Sequence, residues 1–148
     1  MRMKPERPLL GFLGALLCCL PTAPLTWFLT RYGFSTAPAG VLGFLLALGG
    51  WRLLGRRCSG LGIALSALLA FLAALPGLYY SYAELILRDN APYGCTLDEA
   101  LALVPGVALD RGNRGLLLWD LGCFLLPELL AALLTARYPT LRRRGNQA

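Results

Sequence analysis

The sequence predicts an all-α polytopic membrane protein with four transmembrane helices and a short amphipathic helix in one external loop. Three observations carry that expectation. The 148 residues are 57% hydrophobic and only 15% charged, against roughly 25% charged in a typical soluble domain. A chain of this length forms one domain, and a water-soluble fold of that size has too little interior to hide so much apolar surface. Charge-free stretches run from Pro8 to Thr30, Tyr32 to Trp51 and Cys58 to Ala83, which are 23, 20 and 26 residues long. About 20 helical residues cross a hydrocarbon core of ~30 Å. Lastly, lysine and arginine are divided unevenly among the connections.

The first span is expected over about residues 9–29. Met1 to Arg7 and Leu9 to Leu20 could pass for the first two parts of a secretory signal. Against cleavage, the apolar stretch continues to Leu29, and Pro24 follows Ala23, the only suitable small residue. A lipoprotein site at Cys18 is spoiled by Leu17 before it. The helix is therefore expected to be retained. Pro21 and Pro24 each remove a backbone donor, so it should bend, with Thr22 and Thr26 near enough to satisfy the freed carbonyls.

The second and third spans, about residues 35–54 and 59–83, are joined by the short basic turn "WRLLGRRCSG" and should form an antiparallel hairpin. Ala39, Gly43 and Ala47 recur every four residues in one. Gly62, Ser66, Ala70 and Ala74 do so in the other. Small residues at this spacing make a groove that lets helix backbones approach closely in lipid, whether inside the chain or at a homodimer seam. Pro76 should bend the third span. Glu84 and Arg88 beyond it have the spacing of a helical ion pair.

The external loop, about residues 88–114, contains "TLDEALALVPG". Thr96 and Glu99 have capping-box spacing, Leu97, Ala100, Leu101 and Val104 share a face, and Pro105-Gly106 is expected to end the element. The spacing predicts a helix over about 97–104 lying on the outer interface. It would serve as a structural lid over the bundle or as part of a ligand site.

The fourth span, about residues 116–136, is "LLLWDLGCFLLPELLAALL" at its core, and it carries two acids. Asp120 lies roughly 7 Å inside the outer boundary at the helical rise, where water or Arg114 is within reach. Glu128 lies near mid-membrane, where an acid costs about 2.5–3.5 kcal/mol on insertion scales. The charge-free cores of the other spans offer no lysine or arginine to neutralise it. Glu128 is therefore expected to face the bundle interior, neutral or in contact with water or a cation. Pro127 frees the carbonyl of Cys123, which a bound cation or proton could use. Asp120 and Glu128 are ~12 Å apart along the axis, too far for one shared site but suited to a relay.

Orientation follows from the basic residues. Arg2, Lys4, Arg7, Arg52, Arg56, Arg57, Arg137, Arg142, Arg143 and Arg144 would lie on one side, ten against the four of Arg31, Arg88, Arg111 and Arg114. The positive-inside rule then puts both termini in the cytoplasm. Interfacial aromatics agree: Trp27, Tyr32, Tyr79, Tyr80, Tyr82 and Trp119 mark the outer face, and Trp51 and Tyr138 the inner one. The net charge of +6 is then mostly cytoplasmic flank, with Arg142, Arg143 and Arg144 placed to contact anionic lipid. No nucleic-acid recognition motif is present.

The chain has no histidine. That excludes histidine-based metal sites and Ser-His-Asp or Cys-His catalysis. No phosphate-binding glycine loop occurs, and Cys18, Cys19, Cys58, Cys95 and Cys123 include no CxxC pair. With Cys95 alone outside, no internal disulfide is expected. No cofactor, metal or catalytic constellation is read, and the chain is not expected to be an enzyme.

The segments "AGVLGFLLALGGWRLLG", "GIALSALLAFLAALPGLYYSYA", "TLDEALALVP" and "RGLLLWDLGCFLLPELLAALL" occur in an order that resembles an uncharacterised group of small bacterial four-helix integral membrane proteins. The resemblance covers about Ala39 to Leu134, with Val104-Pro105, Arg114-Gly115 and Asp120 as its distinctive positions. It implies a bacterial plasma-membrane protein of this architecture and no activity. Pro127 and Glu128 lie outside the pattern. Two functions stay open from the residues: a structural or accessory protein packing with itself or a membrane partner, and a small proton- or cation-coupled transporter or channel subunit using Glu128 with Asp120.

Overall fold

Pro8 opens the first helix at a position where its missing N–H is no loss. The computed structural model describes residues 7–55, 58–110 and 112–145, with only the backbone described at Ala91 and over 138–145. Its elements are α1 (Pro8–Cys19), α2 (Thr22–Arg31), α3 (Ala37–Gly55), α4 (Gly60–Asn90), a single 3-10 turn (Ala91–Tyr93), α5 (Leu97–Leu109) and α6 (Arg114–Gly145). Four helical segments are long and apolar enough to cross a membrane: α1 with α2, α3, α4, and α6 to Arg137. Exposed leucines line all four, a surface suited to lipid rather than water.

The first of these segments is interrupted at Leu20-Pro21. Both residues keep right-handed helical dihedrals (φ −51°, ψ −40° and φ −63°, ψ −11°), so the chain bends without reversing. The expected role of the threonines is corrected. The Leu20 carbonyl freed by Pro24 accepts from the Ala23 N–H at 3.4 Å, not from a hydroxyl. Thr26 donates to the Thr22 carbonyl at 2.8 Å, while the buried Thr22 hydroxyl has no hydrogen-bond partner. Pro76 leaves α4 unbroken.

Backbone-to-backbone approach at glycines sets the packing. A Cβ on Gly14 would stand 2.3 Å from the Gly50 carbonyl oxygen, joining α1 to α3. One on Gly40 would meet the Phe124 carbonyl at 2.4 Å, and one on Gly77 the Ala23 carbonyl at 2.2 Å. These contacts tie α3 to α6 and α4 to α2. The small residues of the sequence pattern, Ala39, Gly43, Ala47, Gly62, Ser66, Ala70 and Ala74, are all buried within the single chain. Gly43 faces Thr22 on α2, and Gly62 faces the Trp51 indole. Trp51 is 1% exposed, wedged against Gly11, Gly55 and Gly62. It is therefore a core residue and not an interfacial marker.

α4 runs past the expected boundary at residue 83 because α5 covers its far end. Tyr82, Ala83 and Ile86 pack against Ala100 and Val104 in one apolar cluster. The capping box closes the start of α5: the Thr96 N–H donates to Glu99 Oε2 at 2.8 Å, and the Glu99 N–H donates to Thr96 Oγ1 at 3.4 Å. Hydrogen bonding to the carboxyl, first from the Thr96 backbone N–H and then from the Thr96 side chain, holds Glu99 below its ordinary 4.5. A lowered folded value means the contribution is full above the ordinary value and is lost as pH falls through the folded one. Hydrogen-exchange protection of the first turn of α5 should therefore fall as pH is lowered through and below the ordinary value of 4.5. It should stay level in Glu99→Gln, which caps without titrating.

The expected end of this helix at Pro105-Gly106 is overturned, since α5 continues to Leu109 with Pro105 inside it. A proline there orphans the Leu101 carbonyl, and the Tyr79 hydroxyl of α4 donates to that carbonyl at 2.6 Å. Arg114 Nε in turn donates to the Leu109 carbonyl at the helix end. Tyr79→Phe is expected to cost about 0.5–1.5 kcal/mol. In a Pro105→Ala background, where the backbone N–H returns, the cost should shrink. A double-mutant cycle on thermal unfolding measures that coupling.

Candidate functional site

Helix α6 has neighbours in α3 and α4 but is the least covered of the four long segments. Its contact with α3 is tight at Gly40 and Phe124, whereas it and α4 leave a cleft between them. That cleft has a volume of about 440 Å³ and is lined by Gly60, Ile63, Ala64, Ala67, Leu68 and Phe71 of α4. Leu125, Glu128, Leu129, Ala132, Leu133 and Ala136 form the α6 wall. Small residues on both helices keep the space open: alanine and glycine fill little of the gap that leucine ridges would close.

Among the described residues of this lining, Glu128 has the only side chain with a charged or hydrogen-bonding group. It is 1% exposed, and neither carboxyl oxygen has a hydrogen-bond partner. Its helix places it one turn beyond Phe124, which is fully buried against α3 and tilted against Phe71 at 6.3 Å between ring centroids. Buried polar groups in folded chains are paired almost without exception. An ionised carboxylate in such a place, with no partner, is among the costliest arrangements a chain can hold. A proton or a bound cation offsets that cost, which makes the position chemically poised for exchange.

Asp120 has a different environment. Its Oδ2 accepts from the Tyr82 hydroxyl at 3.0 Å, and its backbone carbonyl accepts from Thr36 Oγ1 at 2.9 Å. These bonds tie the start of α6 to α4 and α3. Arg114, the expected partner, is instead engaged with α5. Phe124 lies between the two acids in sequence, four residues from each. The two environments differ: Asp120 is bonded into the bundle, whereas the Glu128 carboxyl has no hydrogen-bond partner.

Glu84 is likewise paired across helices and not along its own. Arg31 reaches it at 2.9 Å and Trp27 Nε1 donates to it at 2.8 Å. Arg31 also stacks over the Trp27 ring at 5.3 Å. The expected pair with Arg88 is replaced because α2 brings an arginine to the α4 surface. The cluster bridges α2 and α4, although a solvent-exposed pair of this kind contributes little stability. Tyr82, Thr36, Arg31 and Trp27 had no pattern that marked them as partners, since each was accounted for by interfacial placement or by nothing at all.

The side chains of Arg142, Arg143 and Arg144, read as lipid contacts, lie outside the described residues. Among the described residues, no three His, Cys, Asp or Glu side chains converge as a metal site would require. Comparison with protein-family models, with curated proteins and with solved structures finds no match.

Proposed function

We propose that the chain is a multi-pass membrane protein that exchanges a proton or a cation at Glu128, as a small transporter or channel subunit. The observation that carries this reading is the carboxyl itself, buried beside an open cleft with both oxygens unpartnered. A purely structural acid would be expected to hold a hydrogen bond, as Asp120 and Glu84 do. Asp120 belongs to the framework in this reading and positions α6 through Tyr82. The ten-to-four division of basic residues supports cytoplasmic termini, and the resemblance to bacterial four-helix proteins supports a bacterial plasma membrane.

The test is flux in proteoliposomes containing the full chain. Flux should depend on a pH difference across the membrane and collapse in Glu128→Gln. The same flux in the variant and the parent would remove Glu128 from the mechanism and with it this reading.

A second reading has its own support. The outward side of α6 exposes Leu118, Trp119, Leu126, Leu130 and Leu134, a face that suits an accessory protein docking on a membrane partner or on a second copy. The small-residue stripes do not serve that purpose, because they are buried within the chain. Disulfide crosslinking through cysteines placed at Leu126 and Leu130 checks it, and uncrosslinked monomer in native membranes would count against it.

A further inference from the structure

We infer that the α4–α6 cleft is a binding site for an apolar organic cation, a single positive centre carried on a hydrophobic body. This rests on Glu128 being the working group of the proposed function. The volume of about 440 Å³ lies in the range of roughly 300–1,000 Å³ typical of small-molecule sites. It is far larger than an inorganic ion needs. Such an ion must also exchange its water shell for several oxygen ligands, and among the described lining side chains only Glu128 supplies oxygens. Those described side chains offer an anion no donor. A neutral apolar molecule would fill the space and leave the carboxyl buried without a partner.

An organic cation satisfies both halves of the site. Its body displaces nothing polar from Ile63, Ala67, Leu125 and Leu129, and apolar burial favours it by roughly 25 cal/mol per Å². Its charge meets Glu128, whose carboxyl makes no internal hydrogen bond that would have to be broken first. Phe71 lines the same cleft, and an aromatic ring adds attraction for a cation near its face. Because the two oxygens are covered in the unliganded state, a side-chain rotation of Glu128 accompanies binding. A neutral carboxyl releases its proton as the cation arrives, so one proton leaves for each cation bound. Among the charged and titratable side chains of the described residues on its own helix, the free thiol of Cys123 is the nearest to Glu128 in sequence, and the carboxyl of Asp120 follows. Asp120 is held by Tyr82, and the lining stretch of α4 from Gly60 to Phe71 carries no charged or titratable side chain.

The probe pair is tetraphenylphosphonium and tetraphenylborate, nearly identical in shape and opposite in charge, measured by equilibrium dialysis on the purified full chain. The parent should bind the phosphonium at least about tenfold more tightly than Glu128→Gln does, the equivalent of ~1.4 kcal/mol. Binding should weaken as pH is lowered, and the borate should not bind measurably above detergent alone. Ala64→Phe places a ring in the cleft from an exposed position, and it should lower affinity for the phosphonium. Equal binding of the phosphonium by parent and Glu128→Gln, or equal binding of both probes, overturns the inference and marks the cleft as a seat for lipid chains. If that occurs while Glu128-dependent proton flux remains, the substrate class falls and the proposed function stands. If flux is also insensitive to Glu128→Gln, both fall.

Discussion

Glu128→Met is expected to stabilise the folded chain by about 1–3 kcal/mol, the cost of holding a buried polar group without a partner. It should abolish proton- or cation-linked flux at the same time. Methionine nearly matches glutamate in length and its flexible side chain adapts to an irregular space. The substitution therefore removes the desolvation cost without opening a cavity. Replacing a buried charged group by an apolar one of similar volume is often neutral or stabilising for the same reason. Thermal unfolding in detergent measures the shift, and a lowered midpoint would mean that the carboxyl has a stabilising partner. Asp120→Leu supplies the contrast. There the Tyr82 hydroxyl loses its acceptor, and the expected change is destabilisation of about 1–3 kcal/mol. Two acids eight residues apart on one helix should thus give opposite signs, because one is bonded and the other is not.

Gly50→Ala carries the second large effect, in the opposite direction from what helix propensity alone would say. Alanine is favoured over glycine in a helix by about 1 kcal/mol. At Gly50, however, the added Cβ would stand 2.2 Å from the Gly14 carbonyl oxygen, 2.6 Å from its carbonyl carbon and 2.9 Å from Cys18 Cβ. Two of those atoms are backbone, so no rotamer change relieves the clash and α1 must move off α3. Overpacking of this kind costs about 1–3 kcal/mol or more. Separation of the pair would also loosen the niche that Gly11 and Gly55 make for Trp51. Gly49→Ala is the matched control, since nothing stands within 4 Å of its Cβ position. It should be neutral or stabilise by up to about 1 kcal/mol. If both variants unfold at the same midpoint, the close approach of α1 and α3 does not exist.

The lengths of the four apolar segments, the capping box at Thr96 and the anomaly of Glu128 were legible in the sequence because each depends on local spacing or composition. Partners were not. Glu84 has an arginine four residues along its own helix, yet it binds Arg31 from a segment more than fifty residues earlier. Local spacing is silent about which helix lies alongside. The same holds for glycine. Periodic small residues drew attention to Gly43 and Gly62, whereas the closest backbone approaches fall at Gly14, Gly40, Gly50 and Gly77, which share no common register across the chain. Proline was read by one rule and behaved in two ways. Pro21 interrupts its helix, while Pro105 lies inside an unbroken one, where a tyrosine hydroxyl from α4 bonds the carbonyl it orphans.

The interruption at Leu20-Pro21 bears on how the chain is assembled in the cell. Below the break, α1 rests on α3 through Gly14 and Gly50; above it, α2 rests on α4 through Ala23 and Gly77. The first of the four long segments in chain order therefore has two docking partners, and neither exists until later synthesis supplies it. Its second half waits for α4. The second half of this segment is in this way fastened after the first, and the bend acts as a delayed latch that closes fully only once the third long segment has arrived.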